Sequence, residues 1–398
     1  MVSAVRRALA QLSPSRLVQE ALVAYREEPV LLVAMGKAAG AMAEGAVSAL
    51  GPRVERGLVV VPSRTRTPRL PASLQVLRAA HPLPDARSVE AAERILRAVC
   101  AHRGPVLVLI SGGASSLVAA PAPGLSLEQK QEIVSGLLAS GAPIKAINTV
   151  RRHLSSIKGG GLLRAAWPSR VHTLVLSDVI GGRLADVGSG PSLPSPTRLA
   201  SARSAVCTYM DRALAASLPF QPALDPRARE AALGTSSLLA SPELLAERVA
   251  AELARPDRRV RVGAPVTAPV EEVAELHLRL ASRLRPGHAL VFAAEPTVRL
   301  PGARLTRGRG GRCSHLAALV ALGLPPGVLF LAAASDGVDG ASGAAGALVS
   351  SEVAVGRRGE IQRALRRFDT GTLHLSMGTA LRLPRGHNLA DVHVLARP

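Results

Sequence analysis

The stretch "VLLVAMGKAAG" at residues 30–40 decides how the rest of the chain is interpreted. Its first six residues are apolar, which is typical of a short strand buried on both faces. Gly36 and Lys37 follow, and small residues then open a helical segment. A buried strand that turns directly into a helix is the first half of a βαβ unit. This stretch therefore predicts a parallel sheet with helices packed on its faces.

Lysine is rare in this chain, which makes Lys37 conspicuous. Of the 49 Lys and Arg residues, the lysines are Lys37, Lys130, Lys145 and Lys158. A positive charge at the start of a helix also opposes the helix dipole. We therefore take Lys37 as a candidate functional residue, and the simpler alternative is a solvated lysine at a helix start.

Composition indicates a globular chain and excludes several functional classes. The chain has 398 residues, 47% of them hydrophobic and only 2% aromatic, so its cores must be built from Leu, Val and Ala. The net charge of +20 is spread over scattered arginines, and the few aromatic rings offer little for base stacking. The cysteines form no CxxC motif, so neither a disulfide framework nor a zinc site is supported.

No segment is predicted to enter or cross a membrane. The N-terminus lacks the apolar core of a signal peptide, and Pro-Pro-Gly at residues 325–327 interrupts the longest apolar stretch. We expect a cytoplasmic protein with no nucleic-acid partner and no membrane partner.

Short apolar runs alternate with segments of helical periodicity. This alternation weakens over residues 195–230 and resumes near residue 244. This alternation predicts an α/β fold: a Rossmann-like three-layer α/β/α first domain at residues 1–230 and a smaller α/β second domain at residues 231–398. One helix begins at Ser126, with Gln129 as its capping-box partner. The predicted strands of the first domain are residues 30–35, 57–61, 74–79, 106–111 and 172–178.

Glycine-rich and polar segments follow the predicted strands, where open parallel sheets bind their ligands. "LISGGASSL" places Ser111, Gly112 and Gly113 after a strand, and these small residues would let an anionic group approach the backbone. An ordinary glycine turn with a serine cap explains this stretch equally well.

A second segment, "INTVRRHLSSIKGGGLL" at residues 147–163, combines basic side chains with glycines. Arg151, Arg152 and Lys158 precede Gly159 and Gly160, an arrangement that suits an anion. His153 alone would be interpreted as a packed histidine.

Aspartates follow two further strands. Asp178 ends one strand, and Asp336 and Asp339 lie among glycines after another. Such carboxylates are common ligands of Mg²⁺ or of a hydroxyl group, and helix capping is the alternative. A GxGxxG fingerprint is absent, which argues against a dinucleotide. Together these loops favour a phosphoryl-transfer enzyme with its active site in the cleft between the domains.

The chain resembles the two-domain glycerate 2-kinases, whose C-terminal half is called MOFRL and whose members are also labelled hydroxypyruvate reductase. The resemblance rests on eight motifs in the family's order. These are "GKAAGAM", "HPLPDARS", "SGGASSL", "INTVRRHLSSIKGG", "SDVIGGRLADVGSGPSLP", "GRGGRCSH", "SDGVDGASGAAGALV" and "GHNLADVHVL".

The resemblance implies ATP-dependent phosphorylation of the 2-hydroxyl of D-glycerate, with Mg²⁺ or another divalent metal. D-glycerate and ATP would be the small-molecule partners. Lys37 and Arg312 would be the catalytic residues. Ser111–Gly113 and Lys158–Gly160 would bind nucleotide and phosphate. Arg151 or Arg152, with Glu295, would bind the substrate, and Asp178, Asp336 and Asp339 would be the metal ligands.

The chain departs from the family pattern at several positions. Gly182 and Arg183 replace two acidic residues, "CSH" at residues 313–315 replaces a polar trio, and Ser342-Gly343 replaces a Thr-Asp pair in the last aspartate loop. Two alternatives stay open: an NAD(P)H-dependent hydroxypyruvate reductase, and a non-catalytic member that binds a nucleotide or hydroxy acid. The oligomeric state, a homodimer included, is also open.

Overall fold

The computed structural model describes residues 1–25, 29–299 and 308–398, which contain two six-stranded sheets. The contacts within the chain divide it into two units. The N-terminal unit comprises Pro14–Ser177 and Gly182–Leu239, and the C-terminal unit comprises Met1–Ser13, Asp178–Gly181 and Ala240–Pro398. Both units are α/β, as predicted. These units are defined by contacts alone, and the domain boundary near residue 230 stays a prediction.

The sheet of the N-terminal unit has the strand order β3-β2-β1-β4-β5-β6, and β1 to β5 pair in parallel. This is the doubly wound order, which reverses direction between β1 and β4, and ligands bind outside the carboxyl ends of the strands at that reversal. The strands are β1 (Val30–Met35), β2 (Val54–Pro62), β3 (Leu74–Ala79), β4 (Val106–Ser111), β5 (Val171–Leu176) and β6 (Gly234–Ala240).

The two central strands confirm the interpretation of the opening stretch. Every residue of β1 and of β4 is buried, because helices cover both faces of the sheet centre. Three predicted strands match the structure at both ends, the one at residues 57–61 is the inner part of β2, and the one at residues 172–178 ends two residues earlier. The sequence analysis did not predict β6.

Helices connect these strands. The capping box of Ser126 and Gln129 is present as predicted, and Asp85 and Ser88 form another at the start of α4. The helix α1 (Val2–Gln11) belongs to the C-terminal unit. Those of the N-terminal unit are α2 (Pro14–Ala21), α3 (Ala39–Leu50), α4 (Ala86–Ala101), α5 (Ala114–Leu117), α6 (Leu127–Ala139), α7 (Ile144–His153), α8 (Gly161–Ala165), α9 (Leu199–Tyr209) and α10 (Arg212–Ser217).

The sheet of the C-terminal unit has the order β11-β10-β9-β12-β8-β7, and only the β7–β8 pair is parallel. Its strands are β7 (Arg259–Val262), β8 (His288–Ala294), β9 (Leu329–Ala334), β10 (Gly346–Ser350), β11 (Ala380–Leu381) and β12 (Asp391–Arg397). Its other helices are α11 (Pro242–Leu253), α12 (Val270–Arg283), α13 (Arg312–Ala321), α14 (Arg358–Arg367) and α15 (Thr370–Ser376).

The second sheet is therefore mixed, a detail that the prediction of a smaller α/β domain left open. The loop between β9 and β10 is short, and a short loop joins antiparallel neighbours. The glycines and aspartates of that loop are equally typical of a ligand loop and of a turn between antiparallel strands. The final strand, β12, lies between β9 and β8 and is buried along most of its length.

The longest apolar stretch of the sequence divides as expected. The helix α13 ends at Ala321, and β9 begins at Leu329 after the Pro-Pro-Gly interruption. Across the described part of the chain, no helix combines the length and apolar character needed to cross a membrane.

Candidate active site

Two turns meet at the carboxyl ends of β1 and β4, where the strand order reverses. The N–H of Lys37 donates to the carbonyl oxygen of Gly112 at 2.9 Å, and the N–H of Ala38 donates to Oγ of Ser111 at 3.0 Å. Gly36 has φ +128°, and a Cβ there would lie 2.2 Å from that Oγ, so this position requires glycine. The backbone therefore fixes the Lys37 turn against the turn after β4.

Two side chains lie close to Gly113 in the turn after β4. Gly113 has φ +83°, and a Cβ there would lie 3.2 Å from Cγ of Lys37 and 3.1 Å from Cδ2 of His81. Lys37 and His81 thus flank the turn after β4. Among the described residues, no acceptor takes the N–H groups of Gly112 and Gly113. The turn offers backbone donors beside a half-buried lysine, and sequence analysis gave His81 no role because a histidine in a proline-rich loop carries no specific signal.

Two of the predicted basic residues gather around Ser115 in α5. Nζ of Lys158 donates to the carbonyl oxygen of Ser115 at 2.7 Å and to its Oγ at 2.9 Å. Nη2 of Arg151 donates to the same Oγ at 2.6 Å. Burial lowers the pKa of Lys158 well below its usual value, and the neighbouring charge of Arg151 adds to this. The structure therefore joins the motif at residues 147–163 to the turn after β4.

Arg152 points to a different partner. Its Nη2 donates to Oδ1 of Asp186 at 2.5 Å and to the carbonyl oxygen of Ala185 at 3.0 Å. Burial raises the pKa of Asp186, but the hydrogen bonds from the N–H of Arg183 and from Arg152 outweigh burial and lower it. Arg152 is thus held in a buried ion pair, whereas Arg151 donates to the neutral oxygens of Ser115 and Asn148.

The glycines after Lys158 are engaged by the backbone. The N–H of Gly159 donates to the carbonyl oxygen of Ser189 at 3.0 Å, and the N–H of Gly160 donates to that of Gly190 at 2.8 Å. These two donors therefore take part in the backbone structure, and the phosphate-binding role of Gly159 and Gly160 stays a prediction. This segment also lies between α7 and α8, so the expectation that it directly follows a strand is wrong.

Arg312 begins α13 and is held by two carboxylates. Its Nη1 lies 2.9 Å from Oε1 of Glu295, which follows β8, and its Nη2 lies 3.2 Å from Oδ1 of Asp391, which begins β12. Burial lowers the pKa of Arg312, but the charges of Asp391 and Glu295 outweigh burial and raise it. The guanidinium is therefore permanently charged, and its two partners fix its direction.

Asp339 anchors the start of the same helix. Its Oδ1 accepts the N–H of Cys313 at 2.9 Å, and its Oδ2 accepts the N–H of Ser314 at 2.8 Å. A Cβ at Gly311 would lie 2.2 Å from this carboxylate, so only glycine fits. Asp339 thus caps α13 from the β9–β10 loop and positions Arg312. Its predicted role as a metal ligand stays a prediction.

Asp391 is a site residue that sequence reasoning missed. Its side chain is only 1% exposed, and among the described residues its Oδ2 has no hydrogen-bond partner. Burial raises the pKa of Asp391 to about 7, Arg312 opposes this shift, and the carboxylates of Asp339 and Glu295 add to it. The motif at residues 386–395 contained Asp391, but nothing in the sequence indicates that it meets Arg312.

The remaining predicted metal ligands belong to the C-terminal unit. Oδ2 of Asp178 accepts from Nδ2 of Asn388 at 3.1 Å, and Oδ1 of Asp336 accepts the N–H of Val338 at 3.0 Å. Within the described ranges, no group of three or more His, Cys, Asp and Glu side chains converges as a metal centre.

Comparisons with known proteins identify the family of the chain. A family model described as a domain of unknown function, DUF4147, matches residues 1–218, and the MOFRL family model matches residues 288–391. A D-glycerate 2-kinase from Thermotoga maritima is 32% identical over 369 residues, covering 89% of this chain and 86% of that protein. The chain belongs to the two-domain glycerate 2-kinase family.

Further relatives carry both labels of the glycerate 2-kinase family. A protein from Agrobacterium vitis, provisionally named a hydroxypyruvate reductase, is 38% identical over 338 residues, covering 81% of this chain and 76% of that one. The crystal structure of glycerate kinase from Thermotoga maritima matches with a TM-score of 0.86 and 29% identity, covering 100% of this chain and 98% of that one.

Proposed function

We propose that this member of the glycerate 2-kinase family is an ATP-dependent kinase that phosphorylates the 2-hydroxyl of D-glycerate. One observation carries the proposal. A lysine is fixed by its own backbone beside an anion-accepting turn, at the strand reversal where doubly wound sheets bind ligands. Relatives named as glycerate kinases supply the substrate class.

Lys37 and the turn after β4 form the phosphate-binding part of the proposal. The N–H groups of Gly112 and Gly113 would donate hydrogen bonds to phosphate oxygens. Oγ of Ser111 would keep the turn in place because it accepts the N–H of Ala38 in the Lys37 turn. The ammonium of Lys37 would neutralise charge on the transferring phosphoryl group. Phosphoryl transfer depends mainly on positioning and electrostatic stabilisation, which a fixed lysine supplies.

Arg312 is proposed as a second catalytic cation. Its guanidinium stays charged at every physiological pH, and Glu295 and Asp391 hold it in one orientation. A cation fixed before the reaction needs no reorganisation when negative charge develops. Glu295 is therefore proposed to orient Arg312 as well as to line the substrate site.

Arg151 is proposed to receive the carboxylate of glycerate. Arg152 is less suited to this role because Asp186 already pairs with it. Arg151 donates only to neutral oxygens among the described residues, and an arginine fork matches a carboxylate.

Magnesium enters the proposal as part of the substrate MgATP. The described residues do not form a dedicated metal centre, and both oxygens of Asp339 cap α13. Mg²⁺ usually takes one or two carboxylates together with phosphate oxygens. Asp178 and Asp336 are the proposed carboxylates, and we derive no reaction step through the metal. The proposal includes a cytoplasmic location, because ATP is available there.

The reductase label of some relatives provides the second candidate. A single pair of assays separates the two activities. ADP release that requires D-glycerate, with no NADH or NADPH oxidation in the presence of hydroxypyruvate, supports the kinase. Nicotinamide oxidation in the absence of ATP would establish the reductase, and tight ligand binding without either turnover would establish a binding protein.

A further inference from the structure

Lys130 is a buried cation that neither the proposed reaction nor the sequence motifs explain. It lies on α6, where the buried residues are Lys130, Ile133 and Leu137, and it is 7% exposed. Among the described residues, its Nζ has no hydrogen-bond partner. Lysine is almost never buried in this way unless it is paired, because removing an ammonium from water is costly.

The surroundings of Lys130 add positive charge. Beyond the effect of burial, the positive charge of Arg151 on α7 lowers the pKa of Lys130, and the charge of Lys130 in turn lowers the pKa of Lys158. The helices α6 and α7 pack through a hydrophobic cluster that includes Leu137 and Val150, which fixes the helices that carry Lys130 and Arg151. Within the described residues, none of the three forms an ion pair, and Arg151 and Lys158 donate only to neutral oxygens, those of Ser115 and Asn148.

Other charged groups nearby do not compensate the cluster. On α6 itself, Glu128 and Glu132 are exposed. On α7, Arg152 and His153 follow Arg151 in the sequence, and Arg152 adds a further positive charge. The carboxylate of Asp186 is already paired with Arg152 and accepts the N–H of Arg183. Arg151 and Lys158 thus converge on Ser115, Lys130 adds a third positive charge close to them, and among the described residues no carboxylate pairs with any of the three.

We propose that Lys130, Arg151 and Lys158, with the hydroxyl of Ser115, form a subsite that binds an oxyanion of a small-molecule ligand. An entering anion would pair with all three cations in a poorly hydrated setting, where each charge-assisted hydrogen bond is strong. Arg151 is half-buried, so it is the member of the set that solvent reaches. The oxyanion is a carboxylate, as in a hydroxy acid, or a phosphoryl group, as in a nucleotide. Only this choice of ligands rests on the proposed function.

The subsite has a proton-linked signature. Burial, with a smaller contribution from Arg151, lowers the pKa of Lys130 to about 7, so near neutral pH a fraction of the protein carries a neutral Lys130. A bound anion favours the charged ammonium and raises this pKa, so binding takes up protons. Affinity should therefore fall as the pH rises above 7.

The test is isothermal titration calorimetry on the full chain with D-glycerate, inorganic phosphate and a non-hydrolysable ATP analogue. Each titration is repeated in buffers of different ionisation enthalpy to count the protons taken up. Lys130→Met removes the ammonium and keeps the apolar stem. Lys145→Met is the matched control, because Lys145 is an exposed lysine on α7 and the net charge changes equally.

We expect Lys130→Met to weaken at least one of these ligands by about tenfold or more and to abolish its proton uptake, whereas Lys145→Met stays within about twofold of wild type. Loss for D-glycerate identifies a carboxylate site, and loss for phosphate and the nucleotide identifies a phosphoryl site. Without ligand, Lys130→Met should also melt at a higher temperature, because an unpaired buried cation is removed.

Unchanged affinities in Lys130→Met would overturn the proposal, as would a wild-type protein that binds none of the three ligands. If the variant fails to fold, binding by the wild type without proton uptake between pH 7 and pH 8 would overturn it equally. Lys130-dependent binding in a protein without kinase activity would keep the subsite and reject the proposed function.

Discussion

The N–H of Lys37 donates to the carbonyl oxygen of Gly112 at 2.9 Å, which joins the turns after β1 and β4 through the backbone alone. The backbone position of Lys37 is therefore set by Gly36, Ser111 and Gly112. Substitution of Lys37 should leave both turns in place. The kinetics of such variants will then report on the ammonium group itself.

Replacement of Lys37 should reduce turnover with little effect on nucleotide affinity. Loss of one preorganised donor to the transition state costs about 10²–10³-fold in kcat. Lys37→Arg should fail nearly as badly as Lys37→Ala, because the planar guanidinium is wider than an ammonium and Cγ already lies against Gly113. Steady-state kinetics with D-glycerate and MgATP measure both variants, with Lys145→Ala as the control. A Lys37→Arg enzyme that keeps more than about a third of the wild-type kcat would contradict the requirement for a point charge.

Gly311→Ala should both destabilise the protein and reduce kcat. Its Cβ would lie 2.2 Å from the carboxylate and the carbonyl oxygen of Asp339, so the cap of α13 must shift and Arg312 with it. Overpacking of this kind costs about 2 kcal/mol. Urea unfolding and kcat are measured in parallel with Gly359→Ala, whose Cβ would meet nothing within 4 Å on an exposed helix. The control should match wild type or gain up to about 1 kcal/mol. Equal stability of the two variants would refute the packing argument.

Asp391→Asn should change how stability depends on pH. Because burial raises the pKa of Asp391 to about 7, the folded state holds this proton more tightly than the unfolded state does. The ionisation of Asp391 therefore lowers the free energy of unfolding as the pH rises from about 4 to 7, and above pH 7 it causes no further decrease. The variant, which cannot ionise, should show a smaller decline of the free energy of unfolding between pH 5 and pH 8. The exposed Asp257→Asn serves as the control, and parallel pH curves for wild type and Asp391→Asn would contradict the assigned burial.

Cys313 should be unreactive and dispensable although it follows Arg312. Burial raises the pKa of its thiol, and the carboxylates of Asp391 and Asp339 raise it further, so no thiolate forms near neutral pH. A thiol reagent should modify the exposed Cys100 and Cys207 in the native protein and reach Cys313 only after denaturation. Cys313→Ser should keep its activity within about tenfold of wild type, since phosphoryl transfer needs no nucleophilic thiol. Rapid modification of Cys313 in the folded enzyme would argue against its burial.

The sequence predicts the N-terminal sheet well because β1 and β4 are continuous apolar runs, a pattern that leaves few other interpretations. It predicts the second sheet less well. The loop between β9 and β10 is rich in glycine and aspartate, and composition alone does not distinguish a ligand loop from a turn between antiparallel strands. The place of β12 between β9 and β8 is a long-range pairing that no local pattern encodes.

The candidate site divides in the same way. Lys37 and the turn at Ser111 stand at strand ends, so the rule for parallel sheets locates them. Lys130 and Asp391 become notable only through burial and through neighbours distant in the sequence. Lys130 occupies an ordinary position in a capped helix, and its meeting with Arg151 depends on how α6 packs against α7. Conversely, the glycine pattern predicts that Gly159 and Gly160 bind phosphate, but it does not indicate that their N–H groups donate to the carbonyl oxygens of Ser189 and Gly190.

The identity of the phosphorylated product tests the proposed glycerate 2-kinase activity most directly. The purified protein is incubated with MgATP and D-glycerate, and the product is offered to enolase with and without phosphoglycerate mutase. Transfer to the 2-hydroxyl gives 2-phosphoglycerate, so we expect enolase alone to form phosphoenolpyruvate. We expect at least a hundredfold less product from Lys37→Ala, about the loss expected for one preorganised donor. A product that enolase accepts only after the mutase has acted, or oxidation of NADH by hydroxypyruvate without ATP, would contradict the proposed activity.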